Sequence, residues 1–203
     1  MDGRGRSFRM VTDRLKAYHI ILASGSPRRR ELLSGLDFPY EVKIIPDLDE
    51  SYPDHLHREE IPIHIARKKA AACKPFLSPG DLLITADTIV WLNGKVYGKP
   101  TGEADARNML RALSGQTHEV MTGVCLSDID REKSFCSVSK VTFAPLDDEE
   151  ISYYIRKYQP YDKAGSYGVQ EWIGYIGVES IEGSFYNVMG LPVRMLYDEL
   201  KRW

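Results

Sequence analysis

Short apolar runs alternate with helical patterns from Tyr18 onward. HIILAS (19–24) is an apolar run that ends at Gly25, and it predicts a buried strand. Ser26 as N-cap and Pro27 at the first helical position then open a helix over RRRELLSG, with Gly35 near its stop. YEVKIIP (40–46) predicts a second strand. IPIHIARKKAAACK (61–74) places Ile61, Ile65, Lys68, Lys69 and Ala72 at helical spacings. LLITAD (82–87) predicts another buried strand, and TIVWLNGKVYG (88–98) holds Asn-Gly between two alternating runs, a strong hairpin signal.

Thr101 reads as the cap of the clearest helix, in which Ala106, Met109, Leu110 and Leu113 fall on one face and Gly115 ends the run. Residues 118–130 and 132–146 predict a long antiparallel pair around Asp128–Arg131. Asp147 with Glu150 three positions on is a capping-box start for the helix EEISYYIRKY. Two more strands joined at Glu182-Gly183 are expected, and Pro192 opens a C-terminal helix. Helices alternate with strands, but hairpins interrupt the alternation. The fold class is therefore α/β with a mixed twisted sheet flanked by helices, not a purely parallel one.

The chain has 203 residues, 43% of them hydrophobic and 28% charged. That is an ordinary balance for one globular domain. No run approaches the length of a membrane span, so no membrane partner is expected. The net charge of -2 argues against a duplex nucleic-acid binder, which needs a dominant basic patch. Cys73, Cys125 and Cys136 are scattered and form no CxxC, as expected of a reduced, cytoplasmic protein. Residues 1–17 are basic and lack an apolar signal-peptide core; they read as a flexible N-terminal extension to a domain over 18–203.

Three places carry candidate chemistry. In ILASGSPRRRELL, Ser24, Gly25 and Ser26 lie between a buried strand and a helix N-terminus, where free backbone N–H groups and the positive end of the helix dipole meet. Arg28, Arg29 and Arg30 add cations to that first turn, against the dipole's preference, and a phosphate would offset them; a capped surface helix with solvated arginines is the bland alternative. Asp87 follows an apolar strand, where ligands collect in open α/β sheets. Asp47, Asp49 and Glu50 follow the second strand, and Asp87 with Glu50 could share a Mg²⁺ if the two strand ends are neighbours. Lys69, Lys99 and the glycine-rich loop 162–174 with the Gln170 amide complete the set, each separately an ordinary surface feature. The histidines lack zinc spacing, and the serines lack a nucleophile-elbow context, so neither a structural zinc nor a hydrolase triad is expected.

ASGSPRRRELL, IARKKA, TADTIV, GKVYGKP, the helix end LSGQTHEVMTGV, DKAGSYGVQ and NVMGLP occur in that order, and with them the sequence resembles the Maf family over about residues 18–200. The resemblance implies a two-lobed fold with a central cleft, similar to the inosine triphosphatases, and usually a homodimer. It implies hydrolysis of a nucleoside triphosphate to monophosphate and pyrophosphate with a divalent cation, Mg²⁺ or Mn²⁺. Carried over residue by residue, the proton acceptor is Asp87, the phosphate-binding residues are Ser24, Ser26, Arg29, Lys69 and Lys99, and the metal-holding acids are Asp87 and Glu50. The subgroup similar to dTTP/UTP pyrophosphatases carries Arg, Thr and Gln at three specificity positions, here Arg28, Thr88 and Gln170. Lys68 and Trp172 depart from the family pattern, and Trp172 is expected at the cleft rim. A broader pyrophosphatase for modified nucleotides and a nucleotide-binding regulator of cell division stay open as alternatives.

Overall fold

The computed structural model describes residues 11–44 and 48–203. In chain order the elements are α1 (Val11–Leu15), β1 (His19–Leu22), α2 (Pro27–Ser34), β2 (Glu41–Val42), α3 (Glu60–Cys73), β3 (Asp81–Leu92), β4 (Lys95–Tyr97), α4 (Glu103–Leu113), β5 (Thr117–Ser127), β6 (Glu132–Phe143), α5 (Asp148–Tyr158), α6 (Trp172–Gly177), β7 (Val178–Glu182), α7 (Phe185–Val188) and α8 (Val193–Arg202). One sheet runs in the order β2-β1-β3-β5-β6-β7, with β4 paired to β3. β1 is parallel to β2 and β3, and every other pairing is antiparallel, so the sheet is mixed as expected.

β3 carries the organisation. Its residues alternate between the two faces, as a strand requires. Leu83 and Ile89 pack beneath α3, against Ala66, Ala70 and Ile61, Ile65. Ile84, Ala86 and Val90 enter the larger core with Leu110 and Leu113 of α4, Ile151 and Tyr154 of α5, and Leu196 and Leu200 of α8. Both faces are covered, which is why LLITAD reads as a continuous apolar run. α3 lies close on β5 because Gly123 has no side chain. A Cβ there would come within 2.4 Å of the Pro62 carbonyl carbon.

Several local expectations are met. Ser26 caps α2, its Oγ accepting from the Arg29 N–H at 3.4 Å, with Pro27 in the first turn. Asp147 and Glu150 form the reciprocal capping box of α5. Others are corrected. LLITAD does not end at Asp87; β3 continues to Leu92 because β5 pairs with it as far as Trp91. α4 begins after Gly102, and Thr101 instead donates its N–H and hydroxyl to Asp105. After Gly183 (φ +120°) the chain forms α7, not a second strand. Ser184 caps that turn by accepting from the Asn187 N–H. Of the expected strand 40–46, Glu41–Val42 are extended and paired, and residues 45–47, Asp47 included, lie outside the described residues. α1 falls within the stretch read as an extension, and Leu15 is buried in the main core. No helix among the described residues is long and apolar enough to cross a membrane.

Candidate active site

A break in the sheet makes the site. β1 pairs with β3 only as far as Leu22↔Ile84, and β4 takes over the same edge only from Val90. Between them Asp87 and Thr88 sit on an edge with no strand neighbour among the described residues, while β5 pairs with β3 along the other side. The chain leaving β1 turns through Ser24–Ser26 into α2, so the α2 N-terminus faces this gap. A cleft of about 510 Å³ fills it. Ser24, Ser26, Arg28, Arg29, Glu50, Lys69, Asp87, Thr88, Lys99 and Gln170, the residues carried over from the family resemblance, all line it.

Because successive strand residues point to opposite faces, Asp87 and Thr88 feed two different networks. On the α3 face, the Lys69 ammonium donates to Asp87 Oδ1 at 2.8 Å and stands 2.8 Å from Glu50 Oε1. Lys99 donates to Glu50 Oε2 at 3.2 Å. The two carboxylates therefore meet at one nitrogen. Partial burial pushes the Glu50 carboxyl up, but Lys69 and Lys99 together outweigh it and hold the group below its usual range. On the opposite face, Arg29 donates from Nε to the Gly190 carbonyl at 2.8 Å and from Nη2 to Thr88 Oγ1 at 3.0 Å. Burial lowers the Arg29 pKa and nearby Asp87 opposes that, yet a guanidinium keeps its proton in such settings.

The remaining wall is the loop after α5. Arg28 donates to Asp162 Oδ2 at 2.8 Å. Asp162 also accepts from Lys163 at 2.8 Å, and these two cations overcome burial to hold its pKa down at about 2. Lys163 is buried and reaches Glu171 at 3.2 Å, and Glu171 accepts from the Tyr154 hydroxyl, which itself accepts from the Gly168 N–H at 3.0 Å. This chain of bonds fixes the turn that presents Gln170, whose Oε1 is buried with no hydrogen-bond partner among the described residues.

Arg30 and Trp172 fall elsewhere than expected, and Lys68, the other departure from the family pattern, also lies outside the cleft. Arg30 bends back to the Gly25 carbonyl at 3.1 Å and does not line the cleft. Lys68 pairs with Asp49 at 2.7 Å outside it. Trp172 packs edge-on against Tyr153, with centroids 4.8 Å apart, and so is not at the rim. Sequence reading gave no role to Asp162 and Lys163, which the fold brings to the cleft wall, to Glu171, which pairs with Lys163 behind it, or to Thr122 and Asn187. The strings DKAGSYGVQ and NVMGLP were the available signal, since they hold most of these residues.

No group of three or more His, Cys, Asp or Glu converges among the described residues. Asp87 and Glu50 nonetheless suit Mg²⁺ or Mn²⁺, because such an ion takes one or two carboxylates and completes its shell with water and substrate phosphates.

Fold and cleft define a class: a mixed-sheet α/β protein whose open strand edge is lined by two acids and several cations. The Staphylococcus aureus Ham1 protein shares the fold, with a TM-score of 0.50 at 18% identity over 91% of this chain and 98% of that one. A protein of Phocaeicola vulgatus described as dTTP/UTP pyrophosphatase is 62% identical over 95% of this chain and 100% of its own length. One of Flavobacterium johnsoniae with the same description is 46% identical over 94% of this chain and 98% of its own. The model of the family of Maf-like proteins matches residues 19–203, and the chain belongs to the Maf family.

Proposed function

We propose that the protein hydrolyses dTTP and UTP to the nucleoside monophosphate and pyrophosphate. The observation that carries this reading is the meeting of Asp87 and Glu50 at the Lys69 ammonium, across a cleft from Arg29 and the α2 N-terminus. Relatives bearing the dTTP/UTP pyrophosphatase description at 62% and 46% identity support the substrate class.

The triphosphate takes its place among Arg29, Lys69, Lys99 and the amides following Ser24 and Ser26, where charge-assisted donors and the helix dipole favour phosphate oxygens. Asp87 and Glu50 would hold a divalent cation, which when bound neutralises phosphate charge. Asp87 orients a water and accepts its proton as the water oxygen bonds to the α-phosphorus. The bond from that phosphorus to the bridging oxygen breaks, and pyrophosphate leaves with its charge spread over Lys69, Lys99 and Arg29. Positioning and electrostatics supply most of the acceleration in such transfers, and pyrophosphate needs no strong general acid to depart. Arg28, Thr88 and Gln170 read the nucleoside. The Gln170 amide offers an acceptor beside a donor, the complement of a uracil or thymine N3–H and carbonyl.

The test is a nucleotide panel with Mg²⁺ or Mn²⁺ that separates pyrophosphate from orthophosphate. Pyrophosphate with UMP and dTMP, and little turnover of GTP, is expected. Orthophosphate release, or no turnover of either pyrimidine nucleotide, overturns the reading.

A further inference from the structure

We propose that Thr122 is a positioning residue that sets the orientation of Arg29 in the cleft through a one-way chain of hydroxyl protons. The proposal rests on the phosphate-binding role given to Arg29 above.

Thr122 lies directly opposite Thr88 in the β3/β5 register and is fully buried. Its Oγ1 is 3.1 Å from the Asn187 carbonyl and 2.9 Å from Thr88 Oγ1. A carbonyl only accepts, so the single Thr122 proton goes to Asn187. Toward Thr88, Thr122 therefore offers a lone pair, and Thr88 donates its own proton there. Thr88 is left presenting lone pairs on its other side, which is where Arg29 Nη2 donates at 3.0 Å. Reversing the Thr88 hydroxyl would aim a proton at a guanidinium N–H. The Asn187 carbonyl also accepts from the Gly190 N–H at 2.9 Å, so turning the Thr122 proton away would not strip it of donors; it would set two oxygen lone pairs against each other across 3.1 Å in the interior, an unfavourable contact.

The chain ends on a firm anchor. Asn187 is fully buried, and its Nδ2 donates to the Val120 carbonyl at 3.0 Å and to Ser139 Oγ at 2.9 Å. The same segment supplies the Gly190 carbonyl to Arg29 Nε at 2.8 Å. Both fixed donors of the Arg29 fork thus trace to residues 187–190, one directly and one through Thr122 and Thr88. Two bonds on adjacent corners of a planar group define its plane, and one bond leaves it a hinge. Nη1 has no hydrogen-bond partner among the described residues and is the donor such a plane directs at a ligand. Without the Thr122 hydroxyl, the Thr88 hydroxyl rotates and Arg29 keeps only the Gly190 hinge.

The experiment is a double-mutant cycle on kcat/KM for UTP. Thr122→Val should lose about five- to tenfold, the scale of one ordinary hydrogen bond between neutral groups. Thr122→Ser, which keeps the hydroxyl, should stay within about twofold. Against an Arg29→Lys background, which removes the fork, Thr122→Val should add less than about twofold. A loss that multiplies in the double mutant, a Ser variant as weak as Val, or a fully active Thr122→Val each overturns the proposal. If Thr122→Val cannot be purified folded, Thr122→Ala takes its place with the same expectations. If the wild-type protein turns over neither UTP nor dTTP, the functional reading fails separately. The hold on Arg29 is then read by calorimetric titration with pyrophosphate, which Thr122→Val must weaken and Thr122→Ser must not.

Discussion

Gly123 is a single position at which packing and chemistry are tied together. It pairs with Asp87 across β3 and β5, and α3 crosses directly over it. Replacing it with Ala puts a Cβ 2.4 Å from the Pro62 carbonyl carbon and 2.5 Å from the Ile63 nitrogen. Both are helix backbone and cannot rotate aside. Non-bonded carbon atoms rest at about 3.5–4.0 Å, so α3 must retreat by about 1 Å. Overpacking of this kind costs about 1–3 kcal/mol. At about 2–4 °C per kcal/mol for a domain of this size, Tm falls by roughly 2–12 °C. Lys69 rides on the same helix, two turns on. Its 2.8 Å contact with Asp87 would lengthen toward the limit of a hydrogen bond. A misplacement near 1 Å can cost about a hundredfold in rate. Differential scanning calorimetry and UTP turnover would be read together. Gly35→Ala serves as a control, since its Cβ meets nothing nearer than 3.4 Å and should leave both quantities alone. A Gly123→Ala protein with wild-type Tm refutes the packing argument. One with lowered Tm but full activity refutes the coupling of α3 to the site.

Asp87→Asn keeps the shape of the contact with Lys69 but cannot accept a proton from water; turnover of UTP should fall about 10²–10⁴-fold with Tm little changed, and full turnover would remove Asp87 from the chemistry. Tyr154→Phe strips the Glu171 carboxylate of one donor and the Gly168 N–H of its acceptor, both in the interior, so stability should fall by about 1–3 kcal/mol and KM for UTP should rise as the Gln170 turn loosens. Equal urea midpoints for the two proteins would contradict this. His118 is buried and its pKa is pushed down to about 4 from 6.5. The unfolded chain therefore takes up a proton between these values that the folded one refuses, and stability declines as pH falls from 6.5 to 4, by up to about 3 kcal/mol. Urea titrations at pH 7 and pH 4.5 should show a smaller loss for His118→Gln than for wild type, and identical losses would rule out His118 as the source.

What could be read in advance was set by local physics. The Ser26-Pro27 start of α2 and the Asp147/Glu150 box of α5 depend on residues within one turn, and both form as expected. The Asn-Gly hairpin between β3 and β4 did likewise. The fusion of LLITAD and the first hairpin arm into one strand was not legible, because nothing inside either run says that β5 will pair without a break across Asp87 and Thr88; that is a tertiary fact. α7 stands where the pattern predicts a strand, for a related reason. Phe185 to Val188 have strand-like composition, but the Ser184 cap and the buried Asn187 amide favour a helical turn beneath β5 and β6. The cleft residues were legible as a set through the ordered motifs, whereas their mutual geometry was not. Arg28 and Asp162 are bonded across 134 positions, and no periodicity connects them.

The cations of the cleft are not equivalent before a ligand arrives. Lys69 is shared by Asp87 and Glu50, Lys99 is paired with Glu50, and Arg28 and Lys163 are paired with Asp162. Arg29 differs, for its partners are a neutral carbonyl and a neutral hydroxyl. A partly buried charge whose direct partners are neutral keeps more of its field for what enters beside it, because no bonded carboxylate must first be displaced. The lysines, by contrast, already share their charge with carboxylates, and at Lys69 a phosphate would compete with Asp87 and Glu50 for the ammonium. An anion at Lys69 would thus loosen its hold on the two acids, which in the proposed reaction frees them toward water or a cation. Division of labour between a preset guanidinium and exchangeable ammoniums follows from which face of β3 each network occupies. That in turn follows from the alternation of Asp87 and Thr88 on one open strand edge.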